Sequence, residues 1–230
     1  MKDIYQIVKD EIHAKMNLTI IVESVTLVSP DTYALVVCSM KWARKGLTIT
    51  DENGNVFVIN SVDPVTNTIT VVGSFVWSGN GILQAYKFFV GTPISTNEEW
   101  KAFNSDERKK VPFIWLVEPT SERFATLENA LERTSDLRII FLDDNFARKW
   151  LTTEVHENRL QSVYNCVEQF IRTIQDNPIF GNLPEYDLKN FTRFGTESTN
   201  GFTANIIDAD LTGVELRISL PIYKLSECNC

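Results

Sequence analysis

The residues that could do chemistry in this 230-residue chain are few and scattered. Nucleophilic catalysis needs a base beside a serine or cysteine, and the only imidazoles are His13 and His156, both at helix positions expected to be solvated. No G-x-S-x-G signature accompanies them. Two tight acidic pairs, Asp143-Asp144 and Asp208-Ala209-Asp210, could hold magnesium or calcium through oxygen ligands, and a small metal-dependent hydrolase could be built on them. Aspartate is equally at home in turns and strand ends, and no further ligand follows at a recognisable spacing. Cys228-Asn229-Cys230 could be half of a zinc or redox site; its second half would have to come from another subunit of a symmetric assembly. Lys41-Trp42-Ala43-Arg44-Lys45 mixes basic and aromatic side chains as a single-strand binder does, and Arg108-Lys109-Lys110 adds a second basic cluster. Gly79-x-Gly81 lacks the rest of a phosphate-loop fingerprint. The pattern assigns no catalytic residue, cofactor or metal ligand, so hydrolase and nucleic-acid binder stand as alternatives to a structural role.

Charge argues in the same direction. Twenty-two basic against 30 acidic side chains give −8, the opposite of the balance with which a protein grips phosphates. A surface that DNA slides past without sticking tolerates it. The start, Met-Lys-Asp-Ile-Tyr, carries no export signal core, no apolar run reaches a membrane span, and Cys38, Cys166, Cys228 and Cys230 form no disulfide scaffold, which implies a reducing cytoplasm.

The elements that must position these residues read as α+β. Leu137–Leu142, closed by Asp143-Asp144-Asn145, is a buried strand. From Thr152 to Gln175, Val155, Leu160, Val163, Tyr164, Val167, Phe170, Ile171 and Ile174 keep helical three-four spacing, and Asn177-Pro178 stops the helix. A mainly antiparallel sheet built around that strand and covered by this one long helix follows. Residues 2–16 form a shorter amphipathic helix with Ile4, Ile7, Val8 and Ile12 on one side. Between them the period becomes two: Leu18–Val28, Tyr33–Ser39, Leu47–Thr50, Val56–Ile59 and Thr68–Val72 predict a small antiparallel barrel or sandwich, closed by residues 75–90 and including an Asn53-Gly54 hairpin. Thr92-Pro93 marks the boundary, giving 1–91 as helix plus β module and 92–230 as the α+β domain. In the second domain, Thr96-Asn97-Glu98-Glu99 is a capping box, Phe113–Val117 is an apolar strand, Phe124, Leu127 and Leu131 fit a helix over 121–134, and 178–190 read as loop.

From Val111 onward the order of motifs is familiar. Pro112-Phe113-Ile114-Trp115-Leu116 leads to Phe141-Leu142-Asp143; Trp150-Leu151-Thr152 opens the long helix; Phe194-Gly195, Leu211-Thr212-Gly213-Val214-Glu215-Leu216 and Leu220-Pro221-Ile222 close the chain. Over about the last 120 residues, this order resembles the neck and head–tail joining proteins of tailed double-stranded DNA phages: connector, tail-completion and tail-terminator proteins, including those of crAss-like phages of Bacteroides-like hosts. The resemblance carries no catalytic residue. It implies a virion structural protein made in the bacterial cytoplasm: a cyclic homo-oligomer around the channel, touching portal and adjacent neck or tail proteins. The genome would pass through its lumen without sequence-specific binding, and no membrane would be involved.

Three stretches are then candidate contacts with other copies or partners. The first helix presents Ile4, Ile7 and Val8. The segment Thr196-Glu197-Ser198-Thr199-Asn200 is a polar hairpin tip between apolar strands, either docked on a neighbour or simply exposed. The strand Val214–Leu220 alternates, turning Glu215 and Arg217 to water or a partner.

Overall fold

The computed structural model describes residues 2–16, 18–38, 42–43, 45–83, 86–103, 111–127, 130–144, 152–183, 185–194, 196–199, 202–205 and 211–223. Two compact units emerge, an inserted unit over Met16–Ala85 and a main unit made of Met1–Lys15 with Tyr86–Cys230. This differs from a division at residue 91. The first helical segment belongs with the C-terminal part, because its apolar side is buried there, and residues 87–91 form a strand of the main unit's sheet rather than closing the β module.

The inserted unit is a seven-stranded antiparallel sheet of β1 (Leu18–Ile20), β2 (Val22–Ser29), β3 (Thr32–Val37), β4 (Thr48–Asp51), β5 (Val56–Asp63), β6 (Thr68–Val72) and β7 (Gly81–Leu83), in the order β1-β7-β4-β5-β6-β3-β2. The path of pairings starts on β1 and ends on β2, successive segments of one run broken at Ile21. Alternation decides the inside: Tyr33, Leu35, Val37, Ile49, Phe57, Ile59, Ile69 and Val71 are buried around Trp42 and Trp77. The β4–β5 hairpin is held by Asp51, whose carboxylate accepts the Asn53 and Asn55 amides at 3.0 and 2.8 Å, while Gly54 supplies the positive φ of the turn.

The main unit is α+β. Its six-stranded sheet runs β12 (Tyr186–Phe194), β15 (Leu211–Tyr223), β11 (Ala130–Asp144), β9 (Phe113–Val117), β8 (Lys87–Gly91), and β10 (Ser121–Leu127) also pairs with β11. Among the described strands only β8 and β9 are parallel, as a crossover requires, and α2 (Pro93–Phe103) lies in that crossover. Helix α2 starts three residues before the expected capping box, because Pro93 suits the first helical position and the Thr92 hydroxyl accepts the Ser95 amide at 3.3 Å. Residues 121–127 are strand, not helix. Fifteen-residue β11 is longer than five-residue β9 beside it, and β10 fills the remaining edge, from Ser121 opposite Asp136 to Leu127 opposite Ala130. Non-local pairing outweighs the helical spacing of the side chains.

The stretch 152–175 is helical but not one continuous α-helix: α3 (Thr152–Val155) passes through a π-helical turn at His156–Leu160 into α4 (Gln161–Gln175). Its expected apolar face is buried, with Tyr164 partly so, and Phe170 meets Phe141 of β11 edge to face at 5.5 Å between centroids. On the opposite face of the sheet, Ile140 and Leu142 pack with Phe113, Trp115, Phe89 and Trp100. β11 thus buries both faces over 139–142, which is why Leu137–Leu142 reads as a near-continuous apolar run.

Candidate functional site

The polar feature that the main unit builds with most care lies on the face of β15 carrying Glu215, Arg217 and Ser219. Strand register sets these opposite Ile140, Arg138 and Asp136 of β11, and sets Glu215 and Arg217 opposite Lys189 and Asp187 of β12. Arg138 and Arg217, directly opposite, would repel. Glu215 removes the conflict: Arg138 donates Nε at 2.9 Å and Nη2 at 3.1 Å, one to each carboxylate oxygen, and Arg217 donates Nε at 2.5 Å. The arrangement continues through the Ser219 hydroxyl, which donates to Asp136 at 2.5 Å, and Arg123 of β10, which donates to the same carboxylate at 2.6 Å. The sequence turns Glu215 to water or a partner, yet it is only 1% exposed, while the Arg138 and Arg217 side chains remain 48% and 60% exposed. The guanidiniums roof the carboxylate and present their outer edges to solvent. Arg138, Asp136 and Arg123 are ladder members that sequence spacing alone missed; the one signal was an arginine inside an otherwise apolar strand.

Burial raises the Glu215 carboxyl, but hydrogen bonds from Arg138 and Arg217 outweigh it and hold the group below its ordinary value. A depressed folded-state pKa contributes stability above the unfolded carboxylate range and loses it as pH falls through the folded value. Glu215→Gln is therefore expected to cost about 2 kcal/mol at pH 7, the order for hydrogen bonds to charged groups, and the gap to the parent protein to narrow below about pH 4. Urea midpoints from pH 7 to pH 3 check this; a gap independent of pH would exclude the linkage.

The candidates on the first helix are corrected. Ile4, Ile7 and Val8, in α1 (Ile4–Ile7) and the π-helical turn Val8–Ile12, are 3%, 7% and 0% exposed. They cannot serve as a partner surface, since the segment folds onto its own unit. Arg133 holds it there, donating to the Lys2 carbonyl at 2.7 Å while pairing with Glu122. At its other end the Asn177 side-chain amide donates to the Glu11 carbonyl at 3.1 Å. His13, in the 3₁₀ turn after it, is half-buried rather than solvated. Its Nε2 donates to the Tyr86 carbonyl, its ring stacks on Phe88 at 5.1 Å, and burial lowers its pKa. His156 is exposed.

The acidic pair does not present two ligands outward. Asp143 is buried at the end of β11 and its carboxylate accepts the Asp144 amide at 2.7 Å; Asp144 accepts Arg159 Nε at 3.0 Å. Among the described residues no group of three or more His, Cys, Asp or Glu could hold a metal ion. Asp208, Asp210, Cys228 and Cys230 lie outside the described residues. Cys166 is buried, and burial, with Asp143 nearby, pushes its thiol well above the usual range. The basic–aromatic patch loses its stacking platform, because Trp42 is buried in the inserted unit's core; Lys41, Arg44 and residues 108–110 lie outside the described residues.

The polar segment Thr196–Thr199 is not a loop. As β13 it pairs with β14 (Phe202–Asn205), from Thr196 opposite Asn205 to Thr199 opposite Phe202. That register leaves a two-residue connection, and Asn200-Gly201, although outside the described residues, carries the sequence signal for a tight hairpin. The two strands form a separate sheet between β12 and β15 in the chain. Among the described residues, no helix is long and apolar enough to cross a membrane. Neither a known protein family nor a curated protein sequence matches this chain.

Proposed function

We propose that this chain is a structural virion protein of a tailed phage, not an enzyme. One copy belongs to a cyclic homo-oligomer at the head–tail junction, in contact with portal and adjacent neck or tail proteins. The order of motifs from Val111 to Ile222 supports the family, and the −8 balance suits a channel that does not trap DNA. In this reading the inserted unit is a small barrel-like docking module, and the main sheet, covered by its helical run, is the ring-forming domain. The observation that carries the reading is the β13–β14 hairpin, which among the described residues pairs with neither large sheet. A two-stranded hairpin is marginal by itself in water, so it gains most by docking on a neighbouring copy or the next ring.

Replacing residues 196–205 with a two-residue turn is expected to leave the melting temperature of the chain within a few degrees and to abolish ring or particle assembly, read by electron microscopy. Unchanged assembly would remove the docking role. In the assembled particle, copies are expected around an axis along the DNA path, touching through unlike surfaces. A single copy, or a two-fold dimer without a central channel as the complete assembly, would sink the ring.

A further inference from the structure

The chain leaves the main unit after Lys15 and returns to it at Tyr86. His13 ties these two crossings together on the main unit's side. From the 3₁₀ turn His13–Lys15 it donates Nε2–H to the Tyr86 carbonyl, 73 residues away in sequence. Its ring lies 5.1 Å from that of Phe88 on β8, and Tyr5 stacks on the same phenyl ring at 6.1 Å with parallel planes. Tyr86 is buried, with its hydroxyl 3.4 Å from the Ser162 hydroxyl of α4. The imidazole is therefore half-buried between a carbonyl and a phenyl ring. The charged groups of the surrounding elements are engaged elsewhere. On its own segment Lys9 donates to the Tyr5 hydroxyl at 3.2 Å, Asp10 pairs with Lys2 at 3.4 Å, and Glu11 pairs with Lys15 at 2.5 Å. On β8, Lys87 alternates to the side away from Phe88. On α4, Glu168 and Arg172 pair at 4.0 Å and are largely exposed. Among the described residues no carboxylate bonds to the imidazole.

We propose that His13 is a pH-operated latch on this joint: neutral, it holds the end of the N-terminal segment against the start of β8; protonated, it lets the two part. The neutral ring needs no counter-charge, because Nε2–H meets a carbonyl. A second proton puts a full charge into a half-buried site with a phenyl ring at its side and Lys9 one turn away. Burial opposes that charge most; the Tyr86 carbonyl favours it, Lys9 opposes it again, and the balance lowers the folded-state pKa. The stabilisation is therefore complete above the unfolded imidazole value of about 6.5 and is lost as pH falls through the folded value. The opening is confined to the last turn. Ile4, Ile7, Val8 and Ile12 stay buried, and Arg133 still holds the Lys2 carbonyl. What changes with pH is the closure of the two chain segments through which the inserted unit is attached.

Amide hydrogen exchange of the full chain, corrected for the intrinsic pH dependence of exchange, tests it. Between about pH 7.5 and about pH 5, the window in which an imidazole titrates, opening at residues 13–16 is expected to rise several-fold, while residues 4–8 keep their protection. In His13→Gln, whose carboxamide can donate to the same carbonyl but takes up no proton in this window, the rise should disappear. Exchange at 13–16 that does not change with pH overturns the latch. So does a rise that survives in His13→Gln, or one shared equally by residues 4–8, which would mean that the whole segment comes away. Nuclear magnetic resonance of the parent protein gives a readout that needs no variant, because the chain holds only two imidazoles, His13 and His156. The His13 ring is expected to titrate at lower pH in the folded protein than in the urea-unfolded chain; an equal or higher midpoint overturns the proposal.

Discussion

Trp115→Ala is expected to lower the stability of the main unit by about 3–5 kcal/mol, the range for removing a large aromatic from a core. Trp115 is 1% exposed on β9, edge to face with Phe194 at 6.3 Å, and packs in the cluster with Phe89, Trp100 and Ile140. Its indole Nε1 donates to the Gly91 carbonyl at 3.0 Å, tying the end of β8 to β9. Alanine leaves a cavity that the strands on either side cannot close, and it removes one of the two donors to the Gly91 carbonyl, which also accepts the Glu118 amide at 3.1 Å. For a unit of this size the loss corresponds to roughly 10 °C in melting temperature. Trp115→Phe keeps most of the volume and loses only the N–H, so it should cost about 1–2 kcal/mol. Thermal melts followed by circular dichroism separate the two. Equal losses for Ala and Phe would mean that the hydrogen bond, not the volume, dominates.

Gly213→Ala is expected to cost about 3 kcal/mol, at the upper end for forcing a methyl into a packed core. Gly213 lies on β15 between Leu142 of β11 and Phe191 of β12. A Cβ there would collide with the Phe141 carbonyl oxygen and lie 2.7 Å from Leu142 Cδ2. The first obstacle is backbone of the neighbouring strand, which cannot swing aside as a flexible side chain can. The comparison is Gly54→Ala, where the added methyl meets nothing within 4 Å but φ is +80°, so only the cost of the left-handed region applies, about 1–2 kcal/mol. Because β12 and β15 flank the β13–β14 hairpin in the chain, Gly213→Ala should also depress assembly under the proposed function, whereas Gly54→Ala should not. Urea midpoints for the pair decide whether steric collision or backbone conformation sets the order; a milder effect at Gly213 than at Gly54 would contradict the collision.

Periodicity along the chain by itself determined which segments carry an apolar face. Val155, Leu160, Val163, Val167, Phe170, Ile171 and Ile174 share one because three-four spacing places them there, and Ile49, Phe57, Ile59, Ile69 and Val71 turn inward because strands alternate. Asn53-Gly54 marked its hairpin, whereas Thr196–Thr199, read as a polar tip, is itself a strand paired with Phe202–Asn205. What periodicity cannot contain is the identity of a distant partner. Residues 121–127 hold a helical spacing yet pair with β11, because β9 is too short to cover that edge. Lys87–Gly91 leaves the β-rich segment to lie parallel to Phe113–Val117, with α2 between them in the chain. Ile4, Ile7 and Val8 read as an open stripe, because the Lys2 carbonyl meets Arg133 from 131 residues away. Glu215 read as facing water or a partner for the same reason: alternation fixes its side of the strand, but Arg138, 77 residues distant, roofs it only once β11 and β15 are in register. Local spacing sets the direction of a side chain along its own element; tertiary pairing decides whether water, a core or a counter-charge lies in that direction.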